Sequence, residues 1–235
     1  MICWRHADCM VRVLFRLIAD ATLVAALLVV SSGTFEWVRG WVLVGVLLVV
    51  RSISAVAVFR VSPELLRERS RLPIHRDQPR SDKLLLLGVL GTGFVGLPVI
   101  AGLDVFHWHV LARPAPFLAD VGLLLFVVGW SIKALALRAN AFATAEVRLQ
   151  PERKHAVVDS GVYRIVRHPF YIGTPLVLVG QSLWLESSVA ALCAIVPTVL
   201  VVIRLMLEER FLRRELPGYS EYAARVRYRM LPGIW

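Results

Sequence analysis

The sequence predicts an all-α fold: a polytopic helical membrane protein of about six transmembrane helices with a C-terminal amphipathic interfacial helix. Three observations predict it. The 235 residues are 57% hydrophobic with a mean hydropathy of +0.67, more apolar surface than a soluble domain of this length buries. Six stretches, near 14–31, 41–59, 84–103, 117–137, 169–186 and 188–207, approach the roughly 20 apolar residues needed to cross a hydrocarbon core about 30 Å thick. The basic residues are also sorted by loop. Because lipid offers the backbone no hydrogen-bonding partner, each apolar stretch is expected to be a helix rather than an open sheet.

The sorting of charge sets the orientation. Arg5, Arg12 and Arg16 precede the first span, and Arg60, Arg67, Arg69, Arg71, Arg76, Arg80 and Lys83 separate the second from the third. Arg138, Arg148, Arg153, Lys154, Arg164 and Arg167 lie between the fourth and fifth. Arg204, Arg210, Arg213, Arg214, Arg225, Arg227 and Arg229 end or follow the sixth. The alternate loops hold Arg39 and Arg113, so the bias is 23 against two. Positive residues remain on the cytoplasmic side, which puts both termini and both long loops there. Orientation and attraction to anionic lipid thus account for the net charge of +10, and no nucleic-acid partner is expected.

Each element follows in turn. The first span has a basic start and ends on Ser31, Ser32 and Gly33, a pattern also seen in signal peptides. Its removal would leave five helices and demand an outside N-terminus, so an uncleaved first span is expected. Segments 60–83 and 138–168 are long and polar, the kind of loop on which function concentrates. Around Glu186–Ser188 the connection almost vanishes, so the fifth and sixth helices should form a tight antiparallel hairpin. Pro217 and Gly218 then break the helical pattern. Tyr219, Tyr222 and Val226 recur at helical spacing beside Arg225 and Arg229, giving an interfacial helix that rests on headgroups or also caps a site.

Cys3, Cys9 and Cys193 form no C-x-x-C pair, so neither a disulfide framework nor a zinc site is expected. His107 and His109 flank Trp108 without further ligands nearby, and no metal is expected.

The densest polar constellation is Gly161–Gly173, GVYRIVRHPFYIG, running into the fifth span. Pro169 suits a first helical turn, where its missing N–H costs nothing. The helix should therefore begin beside His168 and present free N–H groups to a carboxylate or phosphate. His168 and Tyr171, three apart, should lie near one face. An aromatic and basic interfacial belt is the alternative. In the sixth span Arg204 and Glu208 are four apart and share a face, which makes an intrahelical pair the simplest expectation. Arg51 and Lys133, inside the second and fourth spans, either line a pathway or are paired or snorkelled.

With these residues in view, the region 140–235 resembles the membrane methyltransferases typified by isoprenylcysteine carboxyl methyltransferase. The resemblance rests on Gly161-Val162-Tyr163, Arg167 to Gly173, Glu208-Glu209, and Tyr219 to Tyr222 with Arg225-Val226. It divides a single integral membrane domain, 1–235, into N-terminal helices (1–139) and a methyltransferase-like core (140–235). The resemblance implies S-adenosylmethionine as cofactor, held by Gln150, His155, Ala156, Val157, Val158, Tyr163, His168, Pro169, Phe170, Tyr171 and Glu208. The spacing from Gln150 to His155 is shorter than the family's. Arg204 falls at the position that orients a substrate carboxylate, so Arg204 and Glu208 are the expected catalytic pair.

The implied reaction is methyl transfer to a lipophilic or lipid-attached acceptor, a carboxylate above all, at the cytoplasmic face. An ionised carboxylate needs no base, whereas a phospholipid amine would require Glu208 or His168 to take a proton. Two other classes stay open: a membrane reductase using a nicotinamide dinucleotide, whose C-terminal core is similar, and a non-enzymatic membrane protein. The Arg-rich composition without a targeting sequence points to a bacterial plasma membrane.

Overall fold

The computed structural model describes residues 2–70, 78–144, 150, 153 and 155–235, with the side chains of 2–9 and 70 left aside. Arg71, Arg76, Arg148 and Lys154 of the basic loops lie outside the described residues. Among those that are described, no strand occurs. The helices are α1 (Ile2–Ser32), α2 (Val38–Phe59), α3 (Pro63–Ser70), α4 (Arg80–Trp108), α5 (Pro116–Ala139), α6 (Pro169–Trp184), α7 (Ser188–Glu215) and α8 (Tyr219–Arg225). A 3-10 turn, Gly161–Arg164, precedes α6.

Five of these, α1 from Met10, α2, α4, α5 and α7, are long and apolar enough to cross a membrane. They carry outward rows of large apolar side chains at helical spacing, such as Leu14, Phe15 and Ile18 on α1, Val49, Ile53 and Val56 on α2, and Val196, Val199 and Ile203 on α7. Such rows belong against lipid tails, and the chain is integrated in a membrane through them.

The fifth of the six expected spans is the shortest. The stretch near 169–186 is helical, but α6 has 16 residues, about 24 Å at 1.5 Å per residue. His168, with φ −128°, precedes Pro169, and Glu186 takes a left-handed φ of 62°, so both ends are cut short. The helix is also the most enclosed by protein, burying Tyr171, Gly173, Thr174, Val177, Leu178 and Gln181 among others.

Helix α6 is held against α5 along a seam of backbone contact. A Cβ on Gly173 would stand 2.5 Å from the Gly129 carbonyl oxygen, and one on Gly180 would stand 2.6 Å from that of Gly122. Glycines seven residues apart on each helix let the two antiparallel axes approach without side chains between them, the close packing that replaces hydrophobic drive in lipid. Phe126 and Val177 are buried beside the seam.

Helix α4 carries two π-helical stretches, Leu90–Gly96 and Asp104–Trp108, and widening the turn leaves carbonyls to be satisfied by neighbours. The Gly93 oxygen accepts from Gln181 Nε2 at 3.1 Å. At the opposite end Asp104 accepts from Ser187 Oγ at 2.7 Å, anchoring the α6–α7 hairpin to α4. Helix α7 is interrupted at Ala194.

Candidate active site

The loop between α5 and α6 and the chain after α7 fold toward each other. The Arg167 N–H donates to the Tyr228 carbonyl and the His168 N–H to that of Arg229, both at 2.9 Å. Arg167 and Glu209 form the buried node beneath them. Arg167 Nη2 lies 2.8 Å from Glu209 Oε1, while Nη1 donates to the carbonyls of Val226 and Arg227 at 2.6 and 2.7 Å. Arg229 Nε at 2.7 Å and Arg213 Nη2 at 2.9 Å add to the partners of Glu209, and His168 Nε2 stands 3.6 Å from it. A carboxylate that is 3% exposed needs such partners. Glu209 thus serves the fold, while its neighbour Glu208 turns elsewhere.

Glu208 faces a cavity of about 540 Å³. Its carboxylate accepts a hydrogen bond from Tyr171 Oη in α6, and the Tyr171 ring packs edge-on against His168 with centroids 5.8 Å apart. The expected common face of His168 and Tyr171 therefore exists, and it points at α7. Arg204 lines the same cavity, but its partner corrects the sequence expectation. Arg204 Nε pairs with Asp82 Oδ1 at 2.7 Å, and Gln78 Nε2 donates to the other oxygen at 2.6 Å. The first turn of α4 supplies this acid, so a tertiary partner takes the role assigned to Glu208.

The other predicted site residues fall as follows. His155, Ala156, Val157 and Val158 line the cavity from the loop before the 3-10 turn, and Tyr163, His168, Phe170 and Tyr171 line it from the motif. Gln150 and Pro169 stand outside the lining. Gln150 is fully buried, donating to the Phe142 carbonyl at 2.8 Å and accepting from Arg153 Nη1 at 2.6 Å. It shapes the loop that stacks His155 on Phe142, ring centroids 4.5 Å apart. Pro169 opens α6.

Other lining residues lie outside the expected cofactor and catalytic sets. Tyr219 and Tyr222 of α8 form part of the wall, and the Tyr222 hydroxyl donates to the Tyr163 carbonyl at 2.8 Å. The amphipathic helix therefore caps the cavity, one of the two readings its spacing allowed. Burial pushes the phenols of Tyr163, Tyr219 and Tyr222 well above their ordinary value, so they stay protonated. Arg51 and Lys133, for which lining a pathway was one of the expectations, also line the cavity, as do Arg69 and Trp130, which no motif marked. Arg51 pairs with Asp20 of α1. Among the described residues no group of His, Cys, Asp and Glu could hold a metal ion.

Comparison with known proteins adds to this geometry. The phospholipid methyltransferase family model matches residues 118–217, from the first turn of α5 to the end of α7. Protein-S-isoprenylcysteine O-methyltransferase A of Arabidopsis thaliana is 33% identical over 123 residues, covering 51% of this chain and 58% of that protein. A probable protein-S-isoprenylcysteine O-methyltransferase of Oryza sativa subsp. indica is 33% identical over 120 residues, 47% of this chain and 59% of the relative. Protein-S-isoprenylcysteine O-methyltransferase B of Arabidopsis thaliana is 30% identical over 123 residues. Over about half of its length this chain is similar to the isoprenylcysteine carboxyl methyltransferases. The matches span under two thirds of the relatives' own length, and the family-model match begins earlier than the motif region, taking in the α5 glycines of the seam.

Proposed function

We propose that this chain is an S-adenosylmethionine-dependent methyltransferase acting on a lipophilic or lipid-attached carboxylate. The observation that carries this reading is the continuity of one cavity. Its polar end gathers Glu208, Tyr171, His168 and the 155–158 loop, and its apolar end runs between Val13, Leu17 and Val24 of α1, Leu47 of α2 and Leu86 of α4. A polar cofactor and an apolar acceptor can therefore meet in it.

The residues present fit the donor. The volume lies within the roughly 300–1,000 Å³ of small-molecule sites. A sulfonium is a cation, and Glu208 beside the Tyr171 ring offers a carboxylate and an aromatic ring for it. His155, Val157 and Tyr163 would hold the remainder. When bound, the donor supplies an electrophilic methyl group. The chain's own work is alignment and exclusion of water: Tyr171 fixes the Glu208 carboxylate, α8 closes the polar end, and Arg204, oriented by Asp82, would meet the acceptor's carboxylate. A carboxylate acceptor is ionised at neutral pH, so no side chain has to remove a proton.

Residues 1–235 act in this reading as one membrane domain with its core in 140–235. The cavity gathers the helix ends joined by the Arg-rich loops, which supports a cytoplasmic site with both termini on that side, and the Arg-rich composition is the basis for proposing a bacterial plasma membrane. Methylation of a phospholipid amine is the second reading, favoured by the name of the matching family model. Incubation with methyl-labelled donor and membrane lipid separates the two. Base treatment releases volatile methanol from a methyl ester and none from a methylamine, and absence of labelled product of either kind overturns the enzymatic reading.

A further inference from the structure

Charge along the cavity is not balanced. Arg167 is matched by Glu209, Arg204 by Asp82, and Arg16 and Arg51 share Asp20. Lys133 and Arg69 remain, and among the described residues neither forms an ion pair with a carboxylate. Lys133 is 5% exposed, spends one N–H on Thr174 Oγ1 at 2.8 Å, and places its ammonium 4.2 Å from the Phe170 ring centroid. Arg69 lies over the same ring at 4.9 Å and donates to the Ala143 carbonyl at 2.8 Å. Trp130 continues the row. Lys133 and Arg51 stand 5.5 and 5.4 Å from its ring centroid, and among the described residues its buried indole N–H has no acceptor.

An unanswered cation inside a membrane protein is costly, and a buried donor without a partner calls for an explanation. A cationic methyl donor would take up the charge of Glu208 and leave the Lys133–Arg69 excess as it stands. We propose that Lys133 and Arg69, bridged by Phe170 and flanked by Trp130 and Arg51, form an anion subsite that receives the acidic head of the acceptor. The ligand class is an amphiphile ending in a carboxylate or a phosphate. A zwitterionic head, whose cation would face the same charges, is disfavoured. Burial and the nearby Arg204 and Arg51 charges already lower the Arg69 guanidinium to about 10, and a bound anion would relieve that repulsion. The subsite rests on the methyl-transfer reading and deepens it: Arg204, tied to Asp82, shares the acceptor's charge rather than bearing it alone.

The test uses the full chain in nanodiscs of phosphatidylcholine, with labelled dodecanoate, dodecyl phosphate and dodecanol as probes, and S-adenosylmethionine binding measured in parallel. The wild type is expected to bind one or both anions at least about tenfold more tightly than dodecanol. Lys133→Met and Arg69→Met should each lose about tenfold of that affinity, the loss of one charge-assisted contact. Lys133→Arg and Arg69→Lys should recover most of it, with S-adenosylmethionine affinity unchanged throughout. The better-bound anion names the head group. Equal affinity for dodecanoate, dodecyl phosphate and dodecanol in the wild type overturns the subsite, as does full anion affinity in a folded Met variant. If Lys133→Met does not fold, Arg69→Met on the short helix α3 decides. Wild type that binds anions but no S-adenosylmethionine refutes the methyl-transfer reading instead.

Discussion

The Tyr171 hydroxyl donates to the Glu208 carboxylate, joining the first turn of α6 to the loop-side end of α7. If Glu208 holds the donor's charge, Glu208→Ala abolishes S-adenosylmethionine binding. Tyr171→Phe keeps the carboxylate but frees its orientation, a loss of about 1 kcal/mol or roughly fivefold in affinity. Isothermal titration of the purified proteins measures both, and wild-type affinity in Glu208→Ala would remove that residue from the cofactor site.

Arg204→Ala is expected to retain donor binding and lose turnover. It also removes the arginine from Asp82, which is 6% exposed, so the variant should lose about 1–3 kcal/mol of stability. The double variant Arg204→Ala/Asp82→Ala should recover a large part of that stability and none of the activity. Thermal melting in detergent beside a methyl-release assay makes the distinction.

Glu209 holds the segment after α8 through Arg167 and Arg229. Glu209→Ala leaves Arg167 buried and uncompensated, at a similar cost of about 3–5 kcal/mol. Limited proteolysis should cut residues 226–235 far faster than in the wild type, while Glu208→Ala leaves the cleavage pattern unchanged.

Gly173→Ala sets a methyl 2.5 Å from the Gly129 carbonyl oxygen. Parting the helices there should cost about 1–3 kcal/mol, read as a lower melting temperature. Gly45→Ala, where an added Cβ meets nothing within 4 Å, should melt like the wild type.

Alkaline pH provides a separate test. Burial raises the phenols of Tyr163, Tyr219 and Tyr222 in the folded chain. Their stabilisation is complete below the unfolded tyrosine value of about 10 and is lost as pH climbs above it. Denaturant midpoints should therefore fall beyond about pH 10, less steeply in a Tyr163→Phe/Tyr222→Phe variant.

Long apolar runs made the membrane class and most helices legible, because the hydrocarbon thickness dictates their length directly. The motif from Gly161 to Gly173 was legible as a site because Pro169 marks a helix start and because His168 and Tyr171 recur at a helical interval. What remained hidden are partnerships between distant segments. Nothing near Arg204 announces Asp82, 122 residues away, and a local pair with Glu208 was the simplest inference from spacing. For Lys133 the sequence left pathway lining, snorkelling and internal pairing open, and the Gly129–Gly173 seam one turn away decides by holding it beneath Thr174 and Phe170. The shortening of α6 was equally hidden, since Glu186 lacks the usual signature of a left-handed residue.

The glycine seam also governs traffic. Two backbones in van der Waals contact leave no slit for an acyl chain, so the α5–α6 wall is shut to lipid along the turns from Gly122 to Gly129. On the proposed reading a hydrophobic tail would lie instead along Leu17 and Leu23 of α1 and Leu86 and Leu90 of α4, which line the cavity. Enlarging or filling that apolar end, rather than altering the charged chamber beside it, should set the length of tail the protein accepts.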